Sequence, residues 1–336
     1  MTSTSARRRS TLRPAFFFSS LLVASVAAGS SFAQSAAQDW PARTITVVVP
    51  LGAGSASDLI ARVVMDEVGR QLGQSVIVEN RPGAGGTTGA NMVAKSTPDG
   101  YTILVYGALT SAYALYSKLP YDTLKDFVPV ISLGQQPLVI VASPAKGYKT
   151  LAEMIAAAKA KPGTLNYASA GIGSASHFGA ERLRASADFE AQHIPFKGAA
   201  EAVTDVLAGR SDFSVQLTAT TLSQIRQGTL VALAVSADKR IALLPDMPTT
   251  REAGLPADSV YPFYTGVYLP AGTPREIVER LYREIAKALQ APAVLSRLAP
   301  LGVEPMPLDQ RQFETFIRQD AEANLVLVKA AKIPTQ

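Results

Sequence analysis

The sequence predicts an α/β fold with two lobes, and three observations support this prediction. Short apolar strands alternate with amphipathic helices, a pattern typical of largely parallel sheets that are covered on both faces. The alternation begins near residue 44 and restarts near residue 150, after a connecting strand. The chain has 336 residues, of which 47% are hydrophobic, and this length favours two hydrophobic cores over one.

The first 33 residues have the pattern of a secretory signal peptide. Four arginines precede an apolar segment at 16–28, and Ser31-Phe32-Ala33 has the small residues of a cleavage site. Spanning a bilayer takes about 20 apolar residues, so this segment is too short to be expected to act as a membrane anchor. We expect Sec export and cleavage near Ala33-Gln34. Cleavage removes the four arginines and no acidic residue, which lowers the formal net charge from +5 to +1. A nucleic-acid partner is therefore not expected.

The chain contains no cysteine and only two histidines. The absence of thiols excludes disulfides, thiol catalysis and cysteine-ligated metal sites. We expect no metal ion and no cofactor, so the fold must depend on its hydrophobic core.

The stretch from residue 44 to residue 94 predicts a strand, a glycine loop and a helix, followed by the same three elements again. The first strand stops at Pro50, and Ser57 or Asp58 is the expected N-cap of the first helix. Both loops leave the same edge of the sheet. Because glycine lacks a Cβ atom, N–H groups at a helix start can approach an anion closely, so the two loops predict an anion site. Its candidate residues are Leu51, Gly52, Ala53, Gly54, Asp58, Gly86, Thr87 and Thr88.

The remaining chain repeats this plan. A third strand at 101–105 ends beside the predicted site, and the run 137–142 is expected to cross to the second lobe. There a glycine-serine loop leads into a helix from 177, and strand–helix pairs continue to residue 236. The run 263–269 crosses back, and three C-terminal helices are expected to pack on the first lobe. Further candidate ligand-binding residues are Tyr106, Gly173, Ser174, Ala175, His177 and Gln216.

Several segments match a known family. They are TITVVVPLGAGSASDLIAR, VENRPGAGGTTGANMVAKSTPDGYTIL, YDTLKDFVPV, GIGSASH, IPFKGAAEAVTDVLAGRSDFS and YLPAGTPREIV. Almost the whole mature chain thus resembles the solute-receptor subunits of tripartite tricarboxylate transporters, the Bug family of periplasmic binding proteins. The resemblance implies two Rossmann-like lobes with a hinged cleft, as in type II periplasmic binding proteins. It also implies a clamp that closes over a small carboxylated ligand held by loop amides and ordered water. A monomer is expected for a clamp that must hinge freely.

We expect a signal peptide at 1–33, a first lobe at 34–140 plus 262–336, and a second lobe at 141–261. The expected partners are a small organic acid and the subunits of a membrane transporter. Two residues depart from the family pattern. The pair Gly54-Ser55 shifts the glycines of the first loop, and Gln216 stands where the family often has an aspartate. A neutral amide there predicts a ligand without an amino group.

Alternative interpretations remain open at this point. The receptor could report its ligand to a membrane sensor kinase instead of a transporter. Asp58 could only cap its helix, His177 could be a capping residue, and Tyr106 could belong to the core. A secreted enzyme is not expected. The dinucleotide-type loop has Ser57 in place of its third glycine, and no serine lies in the G-x-S-x-G motif that a hydrolase would use.

Overall fold

The computed structural model describes residues 1–2, 40–261 and 263–335, and residues 41–336 form one compact unit. The predicted cleavage site and nearly all of the predicted signal peptide lie outside the described residues. Within the described residues, the ten strands are β1 (Ile45–Val49), β2 (Val76–Asn80), β3 (Thr102–Tyr106), β4 (Phe127–Gln135), β5 (Leu138–Ala142), β6 (Asn166–Ser169), β7 (Gln192–Pro195), β8 (Phe213–Leu217), β9 (Val231–Ser236) and β10 (Tyr264–Pro270).

Helices alternate with these strands. Those of the described residues are α1 (Ala56–Leu72), α2 (Thr87–Ala94), α3 (Leu109–Leu115), α4 (Leu151–Ala160), α5 (Ala175–Ala187), α6 (Ala199–Leu207), α7 (Thr218–Arg226), α8 (Arg275–Gln290), α9 (Pro292–Leu298) and α10 (Gln310–Ala330).

The strands form two five-stranded sheets with the same topology. The first has the order β2-β1-β3-β10-β4, and the second has the order β7-β6-β8-β5-β9. In each sheet the fourth strand runs antiparallel to both of its neighbours, while the first three strands are parallel to each other. The predicted two-lobed α/β fold is therefore confirmed.

The reversed strand of each sheet is the one that arrives from the other lobe. β5 follows β4 after two residues and enters the second sheet, and β10 enters the first sheet after the chain has left the second. The two crossings are joined to each other, because the amide of Gln136 donates a 2.7 Å hydrogen bond to the carbonyl of Phe263. β5 spans the predicted lobe boundary at residue 140 and lies wholly in the second sheet.

Apolar periodicity places the helices as predicted, with local differences. α1 buries Ile60, Val64 and Val68 but leaves Leu59 39% exposed. Its N-cap is Ser55, whose hydroxyl accepts from the Asp58 amide, so the prediction of Ser57 or Asp58 as the cap was wrong by two or three residues. The short helix α3, directly after β3, was not predicted.

The three C-terminal helices do not all behave as expected. α8 and α9 pack on α1 of the first lobe, as predicted, but α10 contacts both lobes. Phe313 and Ile317, near its start, belong to the core of the first lobe. Leu327 and Val328, near its end, belong to the cluster that contains Phe178 of the second lobe. This helix therefore connects the two cores along its length.

A buried polar network fixes the middle of α10. The Asp320 carboxylate accepts hydrogen bonds from the Thr110 hydroxyl of α3, at 2.7 Å, and from Asn324, at 3.2 Å. Burial raises the pKa of Asp320, although these hydrogen bonds and the charge of Arg182 oppose the rise. Arg182 of α5 in turn donates to the Asn324 side chain at 3.4 Å. The network thus ties α10 to one helix of each lobe.

Substitutions near the end of α10 test its role in the second core. Leu327 is 7% exposed, whereas its neighbour Val326 is 61% exposed. We expect Leu327→Ala to lower the free energy of unfolding by about 2–4 kcal/mol, because it removes buried methyl groups and leaves a cavity. The control Val326→Ala should change it by less than about 0.5 kcal/mol. Urea denaturation measures both values, and equal effects would contradict this packing.

Candidate functional site

Strand ends of both sheets surround a cavity of about 330 Å³ between the two sheets. The chain reaches it just after the carboxyl ends of β1, β3, β6 and β8, which is where open α/β sheets bind ligands. This volume is at the lower end of the range for small-molecule sites. Its walls are formed by Leu51, Gly85, Tyr106, Ala108, Ala112, Leu115, Tyr116, Ala170, Ile172, Gly173, Ser174, Ala175, Ser176, Ala199, Gln216, Leu217, Thr220 and Phe263.

Among the described residues, no charged side chain lines the cavity. Most lining residues are apolar, and the polar ones carry only hydroxyl groups or, at Gln216, a neutral amide. A charged ligand would therefore find no opposite charge on a side chain of the wall.

Helix N-termini supply positive potential instead. α5 and α6 begin at the wall with Ala175 and Ala199, and Leu217 directly precedes α7. The first N–H groups of a helix have no partner within the helix and carry the positive end of its dipole. α6 has no side-chain cap, and Ser174 caps α5 by accepting from the His177 amide, which leaves the earlier amides Ala175 and Ser176 without a cap. Several uncapped amides thus start at one cavity.

Asp58 holds the first glycine loop in place. Its buried carboxylate accepts from the Gly54 amide at 2.8 Å and from the Asn80 side chain at 2.9 Å, and it pairs with Arg62 at 3.0 Å. Burial alone would raise its pKa, but these partners outweigh burial and keep the pKa below its usual value. Gly52, Ala53 and Gly54 are exposed. This loop contributes only Leu51 to the cavity wall.

The second glycine loop is organised around Tyr106. The Tyr106 hydroxyl donates to the carbonyl of Gly85, and the Gly86 amide donates to the carbonyl of Gly83 at 2.9 Å. Gly86 has φ +101°, and a Cβ atom there would lie 2.5 Å from the Tyr106 hydroxyl oxygen. Gly86 is therefore needed for the close approach of Tyr106, and its own amide is already bonded within the loop.

The other candidates of this loop also lie away from the cavity. Thr87 is buried and donates to the carbonyl of Ala84 at 2.9 Å. Thr88 is exposed, and neither threonine lines the cavity.

The glycine-serine loop before α5 forms the second-lobe wall. Ser174 donates to the carbonyl of Gly171 at 2.7 Å, and the Ser176 hydroxyl accepts from the Ala170 amide at 2.8 Å. Gly173 has φ +84°, and a Cβ atom there would lie 2.9 Å from a methyl group of Leu115 in the first lobe. The absence of a side chain at this glycine thus lets the two lobes approach each other.

His177 lies beneath this loop and does not line the cavity. Its Nδ1 accepts from the Gly173 amide at 3.3 Å, which requires a neutral ring. The ring stacks on His193 at 4.2 Å between centroids, and His193 stacks on Tyr167 at 4.8 Å. His193 also shares a 2.6 Å hydrogen bond with Ser169 at the end of β6.

Burial keeps both histidines neutral. It lowers the pKa of His177 to about 3, helped by the adjacent His193. It lowers the pKa of His193 to about 4, helped by the charge of Arg184. The stacked rings therefore act as an uncharged support for the loop at neutral pH.

The structure brings together six of the residues predicted from the sequence. Those that line the cavity are Leu51, Tyr106, Gly173, Ser174, Ala175 and Gln216. Those that do not are Gly52, Ala53, Gly54, Asp58, Gly86, Thr87, Thr88 and His177. Sequence reasoning missed the other twelve wall residues of the described chain. Four of them, Ala108, Ala112, Leu115 and Tyr116, lie in or beside a helix after β3 that it did not predict. The position after a strand end was the available signal, because Ala108 comes two residues after Tyr106, the last residue of β3.

Two other site classes can be assessed in the part of the chain that the structure describes. It contains no group of three histidine or acidic residues that could hold a metal ion. None of its helices is long and apolar enough to cross a bilayer.

Comparison with known proteins decides the family. Residues 60–333 match the tripartite tricarboxylate transporter family receptor. The chain belongs to this family. BugT of Bordetella pertussis is 35% identical to it over 302 residues, which cover 88% of this chain and 92% of BugT.

Solved structures agree with this assignment. MatC from Rhodopseudomonas palustris, whose structure contains bound malate, has 33% identity and a TM-score of 0.74 over 86% of this chain and 100% of MatC. Rpa4515 from R. palustris, solved with adipate, has 29% identity and a TM-score of 0.78 over 89% of this chain and 100% of Rpa4515. The family's members are solute-binding proteins rather than enzymes, in agreement with the sequence-based expectation.

The buried histidines predict a specific pH dependence of stability. An unfolded histidine has a pKa of about 6.5, so below that pH the unfolded chain binds protons that the folded chain does not. The stability that neutral His177 and His193 contribute is complete above pH 6.5 and is lost as the pH falls toward 4. We expect His193→Phe, which keeps an aromatic ring in the stack, to lose less stability than the wild type between pH 6.5 and pH 4.5.

Thermal unfolding at a series of pH values measures this difference. All carboxylates titrate in both proteins, and the lost bond to Ser169 lowers the stability of the variant equally at every pH. The change with pH in the melting-temperature gap between the wild type and the variant therefore isolates the histidine. A gap that does not vary with pH would contradict the assignment of a buried neutral ring.

Proposed function

We propose that this protein is a periplasmic receptor that captures a small carboxylated organic acid between its two lobes and delivers it to a tripartite tricarboxylate-type membrane transporter. The observation that carries the proposal is the cavity wall, where helices α5 and α6 begin with uncapped amides and none of the described lining residues is acidic. Such a wall attracts an anion and offers nothing to balance a cation.

The cavity also limits the kind of acid. Apolar side chains such as Leu51, Leu115 and Phe263 suit a hydrocarbon body, and the small volume suits a compact ligand. The carboxylate would be bound by the amides at the starts of α5 and α6, with ordered water in the remaining space. Malate and adipate, the ligands of the two solved relatives, are acids of this type.

Ligand capture would proceed by closure of the two lobes. Each lobe contributes part of the wall, and the crossings at Gln136 and Phe263 provide the hinge between them. A ligand that contacts both lobes binds the closed form better and shifts the population toward it. Exclusion of water then strengthens the hydrogen bonds to the carboxylate. We propose that a monomer suffices, since both halves of the site come from one chain.

The location and the partner follow from the family and the sequence. The N-terminal pattern up to Ala33 supports Sec export, and the family name supports a transporter partner. Delivery to a sensor kinase is the alternative. Uptake of labelled ligand by cells with and without this protein distinguishes the two, because loss of uptake on deletion supports transport and unchanged uptake supports sensing.

Cavity-filling substitutions test the position of the site. Ala199 lines the cavity, whereas the next residue, Ala200, is exposed and does not. We expect Ala199→Trp to weaken carboxylate binding at least tenfold, because the indole occupies ligand space and covers the start of α6. The matched control Ala200→Trp should bind within about twofold of the wild type.

The ligand for this test comes from a thermal-shift screen of the mature protein, from Gln34, against organic acids and their uncharged amides. A ligand at one hundred times its dissociation constant adds about 2.7 kcal/mol of stability, which raises the melting temperature by several degrees. Calorimetry then gives the dissociation constants of both variants. Stabilisation by the amides and not by the acids, or equal binding by both tryptophan variants, would refute the proposed site.

A further inference from the structure

The side chain of Gln216 has a defined orientation at the cavity wall. Gln216 lies in β8, two residues after Ser214 and on the same face of the strand. Its Nε2 is 2.8 Å from the Ser214 Oγ, which is itself 2.6 Å from the carbonyl oxygen of Ala168. A 2.6 Å contact between a hydroxyl and a carbonyl requires a hydrogen between them, and only the serine can supply it.

The hydroxyl of Ser214 has one proton, so it must accept, and cannot donate, in its contact with Gln216. The amide nitrogen of Gln216 therefore faces Ser214. The opposite placement would set two acceptors against each other at 2.8 Å. This chain of two hydrogen bonds, with Ser214 fully buried, fixes which end of the amide faces away from the strand.

The other end of the amide is available to a ligand. Oε1 of Gln216 accepts no hydrogen bond from the described residues. It is nevertheless not fully enclosed by protein atoms. Because Gln216 is only 2% exposed and lines the cavity, the cavity is where this oxygen is accessible. A carbonyl oxygen there accepts a hydrogen bond and donates none.

The electrostatics of the wall select the kind of donor. An ammonium group could also donate to Oε1, but the wall residues that the structure describes include no carboxylate to balance its charge, and the starts of α5 and α6 oppose a cation. Removing an unbalanced charge from water is costly, whereas a hydroxyl group brings no charge. An uncharged O–H donor therefore fits best.

We infer that the receptor selects a hydroxy acid, whose carboxylate is held at the helix starts and whose hydroxyl donates to Oε1 of Gln216. This inference rests on the proposed function and adds the class of ligand and its specificity-determining residue. A site built to accept from a hydroxyl binds the analogue without it poorly, because its buried acceptor then loses its water without gaining a partner.

The test compares acids that differ at one group. The three series are succinate, malate and aspartate; propionate, lactate and alanine; and butyrate, 3-hydroxybutyrate and 3-aminobutyrate. Calorimetry on the mature wild-type protein should show, in at least one series, that the hydroxy acid binds about tenfold or more tightly than both the deoxy and the amino compound. In Gln216→Met the preference over the deoxy acid should fall to within about twofold.

Gln216→Met is suitable because the Ser214 hydroxyl keeps its bond to Ala168, so no buried hydroxyl proton loses its acceptor. Gln192→Met is the matched control, since Gln192 is exposed in β7 of the same sheet and does not line the cavity, and it should keep the wild-type preference. If Gln216→Met does not fold, the wild-type comparison still tests the preference for a hydroxy acid, and absence of that preference overturns the inference.

Each failure has its own signature. Binding of acids with no preference for the hydroxyl, or a preference that survives in Gln216→Met, overturns the role of Gln216 and leaves the carboxylate receptor standing. Tighter binding of the amino compounds overturns the choice of an uncharged donor. Absence of binding by every compound of the three series overturns the hydroxy-acid inference and also counts against the proposed carboxylate function.

Discussion

The reversed strand in each sheet is the constraint on which the site depends. Because the chain passes from one lobe to the other at the cleft, β5 and β10 must start there and run away from it. The parallel strands of both sheets therefore end at the cleft, and the helices that follow them begin there. The cavity, the uncapped amides of α5 and α6, and the bonded crossings at Gln136 and Phe263 all follow from this one arrangement.

Backbone amides and side chains have different roles around the cavity. Backbone amides provide attraction for an anion without a buried cation, which avoids the high cost of desolvating an arginine or lysine. Side chains then act mainly as supports. Asp58 holds the first loop, Tyr106 holds the second, and the stacked pair His177 and His193 holds the third. Gln216 differs from these supports because the oxygen of its amide has no partner among the described residues and faces the cavity.

The sequence predicted the strands, most helices and the two-lobed architecture, because apolar periodicity and glycine punctuation are local signals. It did not predict which loop atoms reach the cavity. Asp58 and His177 are polar residues near helix starts, where a side chain could contact a ligand. Both side chains instead form hydrogen bonds within their own loops. The direction of a side chain depends on partners far along the chain, such as Asn80 for Asp58. Helix α3 was missed for a related reason, since its seven residues are too few for a clear helical period.

The proposed binding mode holds an organic acid between the lobes by helix-start amides and without a cationic side chain. The most direct measurement is a crystal structure of the mature protein with the acid that stabilises it most. We expect the carboxylate to lie within about 3 Å of the amides at Ala175, Ser176 or Ala199. No lysine or arginine should contact it. A carboxylate paired with an arginine or lysine, or a ligand bound outside this cavity, would contradict this binding mode.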